Sequence, residues 1–296
     1  MPNAKLLNYL HLHIIVFIWG FTAVLGALIS TDALGLVWFR MSIASLLILA
    51  WVGYKKIPLT FSKNTMWVFL LAGAVIAVHW LAFFGAIKTA NVSVTLAIMS
   101  TGSFFTALLE PIFYKRNIIW YEVVFGLIVV LGLYVIFQVE GDYSLGILLA
   151  LISSFLGALF SVINGKLAVR YNASAISFYE LFFGVCCISV YLFFSGSFDA
   201  SFFTLTLSDW GYLFILASGC TAYAFIASVH VMKWISPYTV MLTINLEPVY
   251  GIVLALLILG ESENMGPQFY YGAAIIILTV VANGIIKNRI KKKSKN

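Results

Sequence analysis

Charge is what this sequence lacks. Only 9% of its 296 residues are Asp, Glu, Lys or Arg, against about 25% in a soluble domain. So few charges cannot coat a water-facing surface, and a soluble globule is excluded. Disorder is excluded too, because disordered chains are rich in charge and poor in apolar residues. Cysteine is also scarce. Cys186, Cys187 and Cys220 all lie in apolar runs. The adjacent pair cannot bridge without strain, no metal-ligand spacing appears, and all three read as small buried apolar residues. Walker A, HExxH, GxSxG and GxGD motifs are missing, so nothing supports a nucleotide, metal or other cofactor site. The chain does not read as an enzyme.

Apolar residues are what is there. They make up 62% of the chain, and the mean hydropathy is +1.04. A helix needs about 20 apolar residues to cross a hydrocarbon core of roughly 30 Å. That length fits ten times, over 9–29, 34–52, 66–86, 91–113, 118–138, 145–165, 174–194, 209–231, 237–258 and 267–287. These are spans 1 to 10. Together they nearly fill the chain and leave no room for a soluble domain. The first follows Lys5 without a small-x-small cleavage site, so it reads as a retained helix and not a signal peptide. The expected fold class is all-α, a polytopic membrane protein.

The 17 basic and 11 acidic residues give a net charge of +6. An even number of spans places both termini on one side. If that side is the cytoplasm, the inside set is Lys5, Lys55, Lys56, Lys63, Lys115, Arg116, Lys166, Arg170, Lys233 and, in the tail, Lys287, Arg289, Lys291, Lys292, Lys293 and Lys295. That is 15 of the 17 basic residues. Lys88 falls outside, and Arg40 lies within a span. Asp32, Glu140, Asp142, Asp199, Asp209, Glu261 and Glu263 fall outside. The alternation satisfies the positive-inside rule loop after loop. It predicts a multi-pass protein of the cell (inner) membrane with both termini cytoplasmic. The excess charge therefore reports topology, and no nucleic-acid partner is implied. The basic tail reads as an anchor near anionic lipid, each charge contributing about 1 kcal/mol. Monomer and homodimer both stay open.

The sequence also repeats itself. Ala86-Ile87-Lys88-Thr89-Ala90-Asn91-Val92-Ser93 resembles Val231-Met232-Lys233-Trp234-Ile235-Ser236-Pro237-Tyr238, and Lys88 and Lys233 are 145 residues apart. Trp38-Phe39-Arg40 stands against Phe178-Tyr179-Glu180. Spans 1–5 thus match spans 6–10, and five being odd, the second half enters the membrane inverted. The units are a first five-helix repeat over 1–140, a second over 141–287 and a basic tail over 288–296. Inverted repeats are characteristic of secondary transporters, whose sites lie near the midplane between the repeats.

Several stretches carry a family resemblance. Phe17-Ile18-Trp19-Gly20-Phe21, Arg40 and Gly157-Ala158-Leu159-Phe160-Ser161-Val162-Ile163-Asn164-Gly165-Lys166 are among them. The most specific is Leu246-Glu247-Pro248-Val249 followed by Leu259-Gly260-Glu261. At these residues the chain resembles the drug/metabolite transporter superfamily, EamA type, over essentially its whole length. The resemblance implies ten helices, cytoplasmic termini and export of amino acids, metabolites or drugs. One departure stands out. The family's proline is missing at the aligned place in span 4, where Gly102-Ser103 stand, and Glu110-Pro111 comes about two turns later. The shape of span 4 is left open.

Ionisable residues inside a membrane are costly, and each is a functional candidate. Glu247 lies roughly 15 Å into span 9, near the midplane. Thr243 and Gly251 share its face, and Pro248 should kink or open the helix. A carboxylate there is a candidate site for a substrate ammonium or a proton, and a hydrogen-bonded structural Glu is the other reading. Arg40 and Glu180 lie at matching depths on opposite sides, too far apart to pair directly. A gate is one role for them; for Arg40 the alternative is snorkelling toward Asp32. Glu110 reads either as a local ion pair with Lys115 and Arg116 or as a gate. Trp19, His79, Trp80, Phe83, Met99 and Tyr223 are candidate walls of an aromatic cavity that attracts an amino group by cation–π contact. His79 is a second candidate proton carrier. The function expected is secondary active export of a small-molecule substrate by alternating access, in the lipid bilayer. A multi-pass enzyme acting on lipids would need an interfacial catalytic cluster, and a passive channel a continuous polar stripe; neither is seen.

Overall fold

Loop residues with short polar side chains start six of the helices. Asp32, Ser62, Asn91, Asn172, Thr206 and Ser236 each turn a side-chain oxygen onto a backbone N–H of the first turn that follows. These N-caps satisfy donors that a helix start leaves unpaired. Gly196, at φ 70°, closes span 7 in the left-handed region. The computed structural model describes residues 2–115, 117, 120–139 and 143–293.

Span 1 is Pro2–Leu28, span 2 Ala33–Tyr54, span 3 Lys63–Thr89, span 5 Trp120–Val139, span 6 Ser144–Leu167, span 7 Ala173–Ser195 and span 10 Pro267–Lys293. Three spans are interrupted. Span 4 is Val92–Met99 then Gly102–Tyr114, and span 9 is Pro237–Ile244 then Glu247–Ile258. Span 8 runs Leu207–Ala217, a π-helical turn over Ser218–Tyr223, then Ala224–Val231. Among the described residues, eight helices are long and apolar enough to cross a membrane, and shorter apolar stretches lie in spans 5 and 10. The last helix runs to Lys293 and so takes in most of the expected tail. Arg116, Glu140, Asp142 and the boundary at 140/141 lie outside the described residues, as do the side chains of Lys5, Lys287, Lys291, Lys292 and Lys293, and all of Lys295.

The contacts obey a two-fold rule. Span 3 packs on span 6, and its counterpart span 8 packs on span 1. Span 4 packs on 6, and 9 on 1; span 3 packs on 7, and 8 on 2. Spans 2 and 7, 4 and 9, and 5 and 10 each meet their own counterpart. Spans 5 and 10 cross where Gly132 and Gly272 face each other's carbonyl, and a Cβ on either would stand about 3 Å from that oxygen. Small residues at such a crossing let two backbones approach. The architecture is therefore two inverted five-helix repeats. One end carries Lys55, Lys56, Lys63, Lys115, Lys166, Arg170 and Lys233; the other carries Asp32, Asp199, Asp209, Glu261 and Glu263 with Lys88.

The two broken helices lie side by side. Their breaks, at Ser100–Thr101 and Asn245–Leu246, are 145 residues apart, the spacing of Lys88 and Lys233. In span 9 the cause is Pro248. It stands in the first turn of the second segment, where its missing N–H costs nothing, while its ring would clash with the carbonyl one turn back. Span 4 lacks that proline and breaks through hydroxyls. Ser100 Oγ donates to Ala97 O at 2.6 Å and Thr101 Oγ1 to Ile98 O at 2.8 Å. Ser154 Oγ of span 6 lies 2.9 Å from Thr101 Oγ1 and donates to Met99 O. Side-chain hydroxyls thus take up carbonyls freed at a break inside the membrane.

A carboxylate holds the start of each broken helix. Glu110, at the basic end of span 4, accepts the Tyr238 N–H of span 9 at 2.7 Å. Glu263, just beyond span 9 at the acidic end, accepts the Val92 and Ser93 N–H groups of span 4 at 3.0 and 2.8 Å. Glu263 is buried. Glu263→Ala strands two buried N–H groups, each worth about 1–3 kcal/mol. We expect the melting temperature in detergent to fall by several degrees; an unchanged midpoint would show that other partners serve those groups.

Candidate functional site

The breaks border a cavity of about 100 Å³. That is somewhat smaller than the roughly 150 Å³ of an engineered cavity that admits benzene. Its walls come from spans 1, 2, 3, 4, 6, 8 and 9. At the acidic end spans 1, 3 and 8 are tied together. Lys88 Nζ donates to Ile29 O, and Asp209 of span 8 accepts Ser30 N–H at 2.7 Å and Ser30 Oγ at 2.6 Å. Toward the basic end it reaches Met232 and Met241, at the near ends of spans 8 and 9.

Arg40 is fixed by three neighbours. Its side chain is 1% exposed. Nε donates to Thr221 Oγ1 at 2.6 Å, and Thr221 Oγ1 in turn donates to Leu216 O at 2.6 Å. The guanidinium carbon lies 3.9 Å from the centre of the Trp80 ring and 5.4 Å from that of Phe84. A planar cation stacked on aromatic rings away from water is strongly held. Nη1 has no partner among the described residues. Arg40 therefore does not snorkel toward Asp32, which caps span 2 through the Gly35 N–H. The correction has a physical cause: the π-helical turn presents Thr221, and Trp80 offers a ring face, so the inward position is better satisfied.

Glu247 opens the second segment of span 9. Its carboxylate lies at a helix N-terminus, where the dipole favours negative charge, and it faces the cavity. Among the described residues it has no hydrogen bond and no ion pair. Arg40 lines the same cavity, and the two charges act on each other across it. His79 Nδ1 lies 2.8 Å from Ser153 O, and Ser153 Oγ donates to His79 O at 3.0 Å. A carbonyl can only accept, so Nδ1 carries a proton and donates. Gly157 makes room for this ring: a Cβ there would stand 3.0 Å from Cε1. Trp19 Nε1 donates to Cys220 O at 3.2 Å. Trp80, Phe83 and Met99 complete the walls named from the sequence.

Four sequence candidates lie elsewhere. Tyr223 does not line this cavity. Its hydroxyl lies 2.9 Å from His11 Nε2 in a separate groove toward the basic end. The π-helical turn adds a residue and rotates Tyr223 away, which helical periodicity could not foresee. Thr243 Oγ1 donates to Thr239 O of its own helix at 2.9 Å and is likewise absent from the walls. Glu110 holds span 9, as described. Glu180 of span 7 is fully buried and accepts from Asn164 Nδ2 of span 6 at 3.0 Å. The walls that sequence reasoning missed are Thr22, Ile76, Gly157, Phe160, Ser161, Phe225, Ser228, Met232, Met241 and Ile244. Phe225, Ser228 and Met232 recur at helical spacing, a faint signal among so many apolar residues.

The model of the EamA-like transporter family matches residues 7–138 and 144–284, one match per repeat. An uncharacterized transporter from Clostridium kluyveri is 25% identical over 251 residues, 81% of this chain and 77% of that protein. A solved crystal structure at 14% identity superposes with a TM-score of 0.70, covering 95% of this chain and 98% of the other. At that identity it speaks for the fold alone. With the family model matched across both repeats, the chain belongs to the EamA-like transporter family.

Proposed function

We propose that this transporter is a secondary active exporter of small metabolites, amino acids foremost, working by alternating access. One observation carries the reading: Arg40 and Glu247 face a single cavity at the break of span 9, with no ion pair between them. Opposite charges held apart by protein fit a zwitterion, its carboxylate toward Arg40 and its ammonium toward Glu247. Trp19, Trp80, Phe83, Phe160 and Phe225 then surround its side chain. Discontinuous helices with a charge at the break belong to this mode of binding. Binding would shift the population between states open to either side. The basic end is assigned to the cytoplasm of the cell membrane by the positive-inside rule. Glu247, with His79 behind it, is the candidate proton carrier.

The test is counterflow of labelled amino acids in vesicles containing the purified protein. Saturation with rising solute is expected. Conductance that never saturates would replace the carrier by a channel. Single cysteines at Asp199 and Lys233, in a background without the three native ones, should react from opposite sides of the membrane.

A further inference from the structure

Lys88 is the exception to the alternation of charge. It stands in the last turn of span 3, at the acidic end, where the positive-inside rule disfavours a cation. Its Nζ donates to Ile29 O, at the first residue past span 1. Carbonyls at a helix end lack partners within the helix and carry the negative end of its dipole, so a cation there is favoured. Asp209 and Asp32 stand close enough to act on the same ammonium. Nearby, Phe84 of span 3 packs on Gly26 of span 1; a Cβ on Gly26 would stand 2.3 Å from Cε1 of that ring. Span 3 thus packs on span 1, and Lys88 ties the two together.

The repeat gives Lys88 a twin. Lys233 follows it by 145 residues. Each lysine stands three residues before the N-cap of a broken span, Asn91 for span 4 and Ser236 for span 9. The counterpart of Ile29 is Ala168, the first residue past span 6, which opens a turn running to Arg170. Lys233 does not hold that turn. It is exposed, its Nζ lies 5.6 Å from the centre of the Trp234 ring, and among the described residues it makes no hydrogen bond through its side chain. No segment of span 8 packs on span 6 as span 3 packs on span 1. Spans 6 and 8 meet through the Phe160 and Phe225 rings of the cavity wall, 5.4 Å between centres. The helix pairs set out under the fold keep the two-fold rule. Here it is broken: one lysine is engaged and its twin is idle.

We propose that Lys88 and Lys233 are alternate latches of the transport cycle. In the conformation seen here Lys88 ties span 3 to the end of span 1. In the opposite conformation Lys88 lets go, and Lys233 ties span 8 to the carbonyls just past span 6. Spans 1, 3, 6 and 8 all line the cavity, so each latch draws together two of its walls at one end. Exchanging one lysine–carbonyl bond for an equivalent one leaves the two states close in free energy, as states that must both be populated require. Both lysines are positioning residues, since neither lines the cavity. The latches rest on the alternating-access reading above.

The test reads which face reaches the cavity. Thr22→Cys, in a background without the three native cysteines, puts a reporter on the cavity wall, and Ser161→Cys on span 6 serves as a second. Spheroplasts and inverted vesicles offer opposite faces to a charged thiol reagent that does not cross the membrane. The ratio of the two labelling rates follows the populations. Lys88→Met should shift the ratio toward the acidic end by about tenfold, the weight of one hydrogen bond to a charged group. Lys88→Arg keeps the donor and should hold the starting ratio. Lys233→Met should move the ratio the other way, and the double variant should return toward the start. A ratio unmoved by either methionine substitution, or moved the same way by both, overturns the latches while leaving alternating access standing. A reporter labelled from one face only, with and without solute and in every variant, fails alternating access itself and the latches with it.

Discussion

Glu247→Gln is expected to cut transport of an amino acid by about tenfold to a hundredfold while the protein still inserts and folds. The substitution keeps shape and volume and removes the negative charge. A hydrogen bond to a charged group contributes about 1.5–3 kcal/mol, which is that factor in rate or affinity. Folding should survive because Glu247 holds nothing else in place; among the described residues its carboxylate has no bonding partner. The loss should fall on solutes that carry an ammonium group. If the proton also travels through Glu247, the variant should still exchange solute and lose the pH dependence of uptake. Wild-type rates with intact pH dependence would remove Glu247 from the mechanism.

Arg40→Met should strike the other half of the same solute. Methionine replaces much of the apolar stem that lies over Trp80 and drops the guanidinium. Burying a charge without an opposite charge in contact is costly, and Arg40 makes no ion pair among the described residues, so its loss should change the melting temperature little. Affinity for an amino acid should fall by about tenfold to a hundredfold. Its decarboxylated amine should be affected far less, because it brings no carboxylate for Arg40 to meet. Arg40→Lys should not restore the wild type. A lysine cannot keep the Thr221 bond, the ring stack and a solute contact together, having one compact charge instead of a planar fork. Equal losses for the amino acid and its amine would show that Arg40 supports the fold and does not read the solute.

Much of the scaffold was readable before the structure. Ten apolar lengths and the alternation of basic loops follow from thickness and charge, which leave plain marks in a sequence. Glu247 and Arg40 were visible because a charge at membrane depth is rare. Trp19, His79, Trp80, Phe83 and Met99 were named from type and depth, and the structure brings them to one cavity. Tyr223 was misplaced because a π-helical turn shifts the register by one residue and leaves no periodic trace. Thr243 was misplaced because a threonine can satisfy itself on its own helix. The break in span 4 was illegible because it is made by Ser100 and Thr101 with help from Ser154 across the bundle, and no proline marks it. The walls from spans 6 and 8 are ordinary residue types, and only the packing says which way they face.

The two carboxylates that hold the broken helices do not follow the spacing of the repeats. Lys88 and Lys233, and the two helix breaks, are 145 residues apart; Glu110 and Glu263 are 153 apart. They share a task without standing at equivalent positions of the two repeats. Each end of the molecule has its own clasp. A substitution at one clasp therefore has no twin at the other, and selection can strengthen or loosen either side alone. That freedom lets a symmetric scaffold acquire a preferred resting side without any change in the cavity.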